Sequence, residues 1–148
     1  MRSHDSSLYW QLGTAFLLAP VCCVLSVYFF HLHSERSLWL FSDPYAFLML
    51  VLFYPMVEEL SFRGVIQGAL ALKLPDRLYG GFLSAANLVT SLLFVAIHFV
   101  HHPPLWAMAV FVPSLIFGYF RDRFGGVIPS IVLHAFYNGV FYSTMGHA

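Results

Sequence analysis

Five apolar runs separated by short polar stretches account for most of this 148-residue chain, and few folds can accommodate that layout. The runs are Leu8–Phe30, Pro44–Leu72, Gly80–Val100, Leu105–Phe120 and Gly126–Met145. A membrane helix needs roughly 20 apolar residues, so five use about 100 and leave short loops. Only 9% of residues are charged and 59% are apolar, too few polar groups to cover the surface of a small water-soluble domain. Seven Lys and Arg against seven Asp and Glu leave no basic footprint for nucleic acid. No repeat, low-complexity tract or linker interrupts the chain. The expected fold is all-α, a polytopic membrane helix bundle of about five transmembrane helices, with residues 1–148 as a single domain.

The first run is too long for a signal-peptide core and has no small-x-small cleavage site before His31, so it reads as an uncleaved anchor. Tyr9, Trp10, Trp39, Tyr45 and Trp106 fall near span ends, where amphipathic rings favour the interface. Cys22 and Cys23 are adjacent on a helix and diverge by ~100°, so they do not bond to each other. With five spans, Arg2, Lys73, Arg77, Arg121 and Arg123 share one side and Arg36 lies on the other. The positive-inside bias places the N-terminus in the cytoplasm and the C-terminus outside, in a multi-pass cell-membrane protein.

Ionisable groups inside spans are expensive and point to function. Here they are Glu58, Glu59 and Arg63 in the second run, His98 in the third and His134 in the fifth. Glu59 and Arg63 are four apart and share a helix face, in the favourable acid-before-base order. Glu58 is five from Arg63, roughly 140° round an α-helix, so Arg63 neutralises Glu59 while Glu58 faces elsewhere. A desolvated carboxylate without its own cation can act as a general base. The alternative is an ion network that only joins helices. Pro55, one turn earlier, removes a backbone donor and leaves a carbonyl to be satisfied.

His98, His101 and His102 have i, i+3, i+4 spacing, which suits either a metal or, for the last two, interfacial residues ending a helix before Pro103 and Pro104. His98 lies a turn deeper and needs a polar partner, with Glu58 the obvious carboxylate. His134 and Asn138 share a face and offer two donors, either for a developing oxyanion or for an interhelical bond.

Glu58-Glu59-x-x-x-Arg63, Phe94-x-x-x-His98 and His134-x-x-x-Asn138 resemble, in order, the three motifs of the CPBP family, the CAAX-type and bacteriocin-processing (Abi) intramembrane proteases. The resemblance covers about residues 50–142, and Gly118-Tyr119, Arg123 and Gly126 are similar to the family's lead-in to its last motif. It implies a glutamate-type intramembrane endopeptidase. Glu58 would be the catalytic glutamate and His98 its water-orienting partner. His134 and Asn138 would stabilise the oxyanion, and Glu59 and Arg63 would support the geometry. The implied reaction needs no cofactor; an older reading of the family makes Glu58, His98 and His134 zinc ligands.

Family members generally carry more helices, so this chain resembles a near-minimal version that could need a dimer or a partner membrane protein. The expected substrate is a membrane-associated or exported protein, with a C-terminal sorting segment as one candidate and membrane lipid as the surrounding partner. Two readings compete. In one, His98 and His134 are axial ligands in a haem-binding electron-transfer bundle. In the other, the chain is a non-catalytic adaptor or immunity protein whose polar cluster only holds helices together.

Overall fold

The computed structural model describes residues 3–30, 42–74 and 83–145. Among these are five helices and no strand: α1 (Ser3–Phe30), α2 (Pro44–Ala71), α3 (Ala85–His98), α4 (Pro104–Phe124) and α5 (Ile128–Met145). The five apolar runs thus become five helices of an all-α bundle. Those long and apolar enough to cross a membrane lie in α1 (over Ser7–Leu25), α2 and α4. With 14 residues, α3 is about 21 Å long at ~1.5 Å per residue, short of a ~30 Å hydrocarbon core. Although α5 has 18 residues, it carries His134 and Asn138 in its middle and is not among the three. Arg2, Arg36, Arg77 and Trp39, used above for orientation and interfacial anchoring, lie outside the described residues.

Local chemistry sets the helix ends. Asp43 caps α2 by accepting the Ala46 N–H at 3.0 Å, and Pro44 follows, where its missing N–H does no harm. Ser84 caps α3 by accepting the Asn87 N–H at 3.0 Å. Pro103 precedes α4, whose first residue is Pro104, and Gly125 ends α4 in the left-handed region, φ +68°.

The structure forms two compact units, Met1–Pro55 with Leu133–Ala148, and Met56–Val132. Within the first, α1 buries Ala15, Ala19 and Cys23, spaced four apart on one face. Their small side chains allow close helix contact. Tyr137 donates its hydroxyl to Ala15 O at 2.7 Å, and Phe16 meets Phe136 edge to face at 5.0 Å. The adjacent Cys22 is exposed, and both thiols are free.

Also in this unit, α2 does not keep an α register throughout. Leu48–Phe53 forms a π-helical segment, in which the Tyr54 N–H donates to Met49 O, five residues back. The next donor in that register would be residue 55, a proline. Leu50 O therefore lacks both its α partner and its π partner, and it accepts the Asn138 side-chain amide at 2.9 Å. The carbonyl expected from Pro55 is present at Leu50 O.

In the second unit polarity is inverted. The fully buried side chains include Glu59, Arg63, Gln67, Asn87, Thr90, Ser91, Ser114 and Ser130, while Val65, Leu93, Val100 and Val112 are exposed. A chain in water would do the reverse. Apolar side chains facing lipid and polar ones facing neighbouring helices are what a bilayer selects.

Candidate active site

Glu59 and Arg63 are both fully buried and joined by Arg63 Nε to Glu59 Oε2 at 3.1 Å. The expected pair is present, with an altered geometric reason. Leu60–Gln67 is a second π-helical segment, so ~100° per residue does not hold there. The wider turn reduces the drift between positions four apart, keeping Glu59, Arg63 and Gln67 on one side of α2.

From this pair a hydrogen-bonded ladder crosses three helices. Arg63 Nη2 donates to Ser114 Oγ at 2.5 Å. Gln67 Nε2 donates to Gly118 O at 3.0 Å and to Asp122 Oδ1 at 2.8 Å. Ser84 Oγ donates to Asp122 Oδ2 at 2.6 Å while capping α3. Asn87 Nδ2 donates to Leu115 O at 2.9 Å, and Ser91 Oγ donates to Asn87 Oδ1 at 3.1 Å. Among the described residues Thr90 Oγ1 is the one buried side-chain N or O atom with no hydrogen-bond partner, so the ladder is otherwise satisfied, as a buried polar network must be.

Gln67, Ser84, Asn87, Ser114 and Asp122 are absent from the sequence reading. Their signal is periodic: Glu59, Arg63 and Gln67 on α2 and Ser114, Gly118 and Asp122 on α4 recur every four residues. Gly118 is needed for close approach. A Cβ there would fall inside the Asn87 side chain and 2.9 Å from Gln67 Oε1. Gly118→Ala should destabilise the protein by about 1–3 kcal/mol, the usual range for overpacking, measured by thermal unfolding in detergent. A variant as stable as wild type would show that the ladder yields freely.

Glu58 is half-buried on α2, one residue before the sealed pair. His98 is the last residue of α3 and is half-buried. Its Nδ1 lies 2.7 Å from Phe94 O. A carbonyl only accepts, so Nδ1 carries the proton and Nε2 of the neutral ring holds the lone pair. The ring is tilted against Phe94 at 4.4 Å and stacks with His102 at 5.7 Å and Trp106 at 5.8 Å. The motif residue Phe94 is itself fully covered, with the Arg63 guanidinium 5.6 Å over its ring.

His101 and His102 are exposed beyond the end of α3, and both backbone N–H groups donate to His98 O. They terminate the helix as expected. Stacked rings do not aim lone pairs at one point, and no group of three His, Cys, Asp or Glu that could hold a metal occurs among the described residues. Desolvation, then the neighbouring His101 charge, holds the His102 imidazole below its ordinary value. The unfolded chain therefore takes up a proton more readily, so stability falls as pH drops through the window below about 6.5. His102→Phe keeps the ring and should flatten the acid side of a plot of melting temperature against pH. An unchanged slope would refute this.

His134 is buried on α5, and Asn138 is half-buried one turn further on. Both belong to the first unit, whereas Glu58, Glu59, Arg63 and His98 belong to the second. One Asn138 amide hydrogen is committed to Leu50 O.

These features define a membrane helix bundle with apolar side chains facing outward and a charge pair sealed between helices, next to a second, half-buried carboxylate. The chain belongs to the Rce1-like family, type II CAAX prenyl endopeptidases, whose family model matches residues 39–140. That range contains all three motifs, and membership supports intramembrane proteolysis as the general activity. No curated protein and no solved structure gives a significant match.

Proposed function

We propose that the chain is a glutamate-type intramembrane endopeptidase in which Glu58 activates water. The observation that carries this is the division of labour between adjacent carboxylates. Glu59 is sealed against Arg63 with no exposure, whereas Glu58, one residue earlier, is half-buried. Arg63 is committed to Glu59, so its charge is balanced within the ladder.

In the proposed reaction Glu58 takes a proton from water, and the oxygen bonds to the scissile carbonyl carbon. His98, its tautomer set by Phe94 O, orients that water by accepting its other hydrogen at Nε2. The carbonyl oxygen becomes an oxyanion, for which the motif resemblance supplies His134 and the remaining amide hydrogen of Asn138 as donors. On collapse the C–N bond breaks and Glu58 delivers its proton to the leaving amine. Glu59 and Arg63 hold the α2 backbone. No cofactor enters this scheme.

The proposed substrate is a membrane-associated or exported protein cut near a membrane face. The family name specifies prenylated CAAX ends, so a lipidated C-terminus and an apolar sorting segment are the two substrate forms to compare. Two quenched fluorescent peptides separate them, one ending in a farnesylated CAAX box and one carrying an unlipidated apolar segment. Wild type and Glu58→Gln are assayed on both in nanodiscs, alongside mass-spectrometric profiling of new protein termini in cells. Cleavage by wild type alone supports the reading, and the preferred peptide names the class. Indistinguishable wild type and variant in every arm would overturn it.

A further inference from the structure

A proline inside a helix is commonly a packing residue or a kink. Pro55 is fully buried in α2, and its backbone has a more specific consequence. The Tyr54 N–H is spent on Met49 O in the π register, and residue 55 has no N–H to offer Leu50 O. An unpaired carbonyl within a membrane helix is costly. Leu50 O takes a hydrogen from Asn138 Nδ2 at 2.9 Å. An amide is planar, so holding one Nδ2 hydrogen also fixes the direction of the other. Nearby, Gly139 meets Val51 at the same turn, with 3.7 Å between its would-be Cβ and Val51 Cγ1.

We infer that Pro55 is a positioning residue for the reaction, acting by leaving Leu50 O unpaired so that this carbonyl aims the Asn138 amide. The inference rests on the protease reading above for its effect on rate, while the hydrogen bond itself is readable without activity. Restoring a donor at position 55 gives Leu50 O a backbone partner and releases Asn138. Removing Asn138 makes the identity of residue 55 irrelevant to rate.

The test compares wild type, Pro55→Ala, Asn138→Ala, the double variant and Glu58→Gln in nanodiscs, on whichever of the two peptides is cleaved. Pro55→Ala should lower kcat about tenfold through loss of orientation with KM nearly unchanged, while thermal stability holds or rises because alanine favours a helix interior. A slower but no less stable enzyme is not what loss of a packing residue produces. Asn138→Ala and the double variant should have equal kcat. Normal kcat in Pro55→Ala, or multiplicative losses in the double variant, would overturn the inference while Glu58→Gln still reports a protease.

A spectroscopic arm covers variants that fold poorly and an inactive wild type. Leu50–Val51 and Leu88–Val89 are the Leu–Val pairs of the chain, so carbonyl-13C leucine with 15N valine gives two NMR signals. Asn138→Ala should move the Leu50 signal and leave that of Leu88 in place. A stationary Leu50 signal would overturn the inference whatever the activity. If Glu58→Gln matches wild type in rate, the protease reading and the proposed effect of Pro55 on rate fall together, and the NMR signals alone then report the hydrogen bond.

Discussion

Replacing Glu58 by glutamine should reduce peptide cleavage by about 10²–10⁴-fold, the range that a positioned general base contributes. The loss should appear in kcat, because glutamine keeps the size and most hydrogen-bonding capacity of the side chain but cannot accept the water's proton. Thermal unfolding in detergent should change little, since glutamine keeps the size of the side chain and the Glu59–Arg63 pair stays intact. Glu59→Gln should behave in the opposite sense, losing stability first, because it leaves the Arg63 guanidinium without its carboxylate. Greater loss of activity per folded molecule in Glu59→Gln than in Glu58→Gln would reverse the assignment of the two carboxylates.

The second large effect is on stability. Arg63 has no exposed surface and bonds Glu59, Ser114 and, more weakly at 3.5 Å, Gln67. Arg63→Met keeps the apolar stem but leaves Glu59 buried without a cation. Breaking a buried pair from one side costs about 3–5 kcal/mol. The double variant Glu59→Leu/Arg63→Met should recover much of that loss, because two neutral side chains need no desolvated charge. Unfolding midpoints of wild type, both singles and the double provide the check. If Arg63→Met matches wild type, the ladder is not a stabilising feature.

Much of the architecture is legible in residue order because a bilayer imposes a simple rule. Backbone polar groups must pair locally, so apolar runs become helices whatever their neighbours are. All five runs do so, and polar spacing picked out Glu59 with Arg63 as a pair. Two points were not legible. The π turns at Leu48–Phe53 and Leu60–Gln67 change the angular arithmetic of α2. They arise from a balance of backbone bonding and packing between helices that residue spacing does not encode. Gln67, Ser114 and Asp122 were overlooked because one amide, one hydroxyl and one carboxylate look ordinary on separate helices. They acquire meaning only when α2 and α4 lie side by side.

The residue sequence by itself determined that this chain forms apolar helices with a few ionisable groups set among them, and which of those groups match a protease family. Those conclusions follow from transfer energies and helical periodicity, which are local. Only the tertiary structure decided that Ser114 completes the bonding of Arg63, which carbonyl Pro55 leaves for Asn138, and why position 118 must be glycine. Each depends on the ångström-scale approach of groups far apart in the chain. Pairing energies in a low-dielectric interior change steeply over that distance.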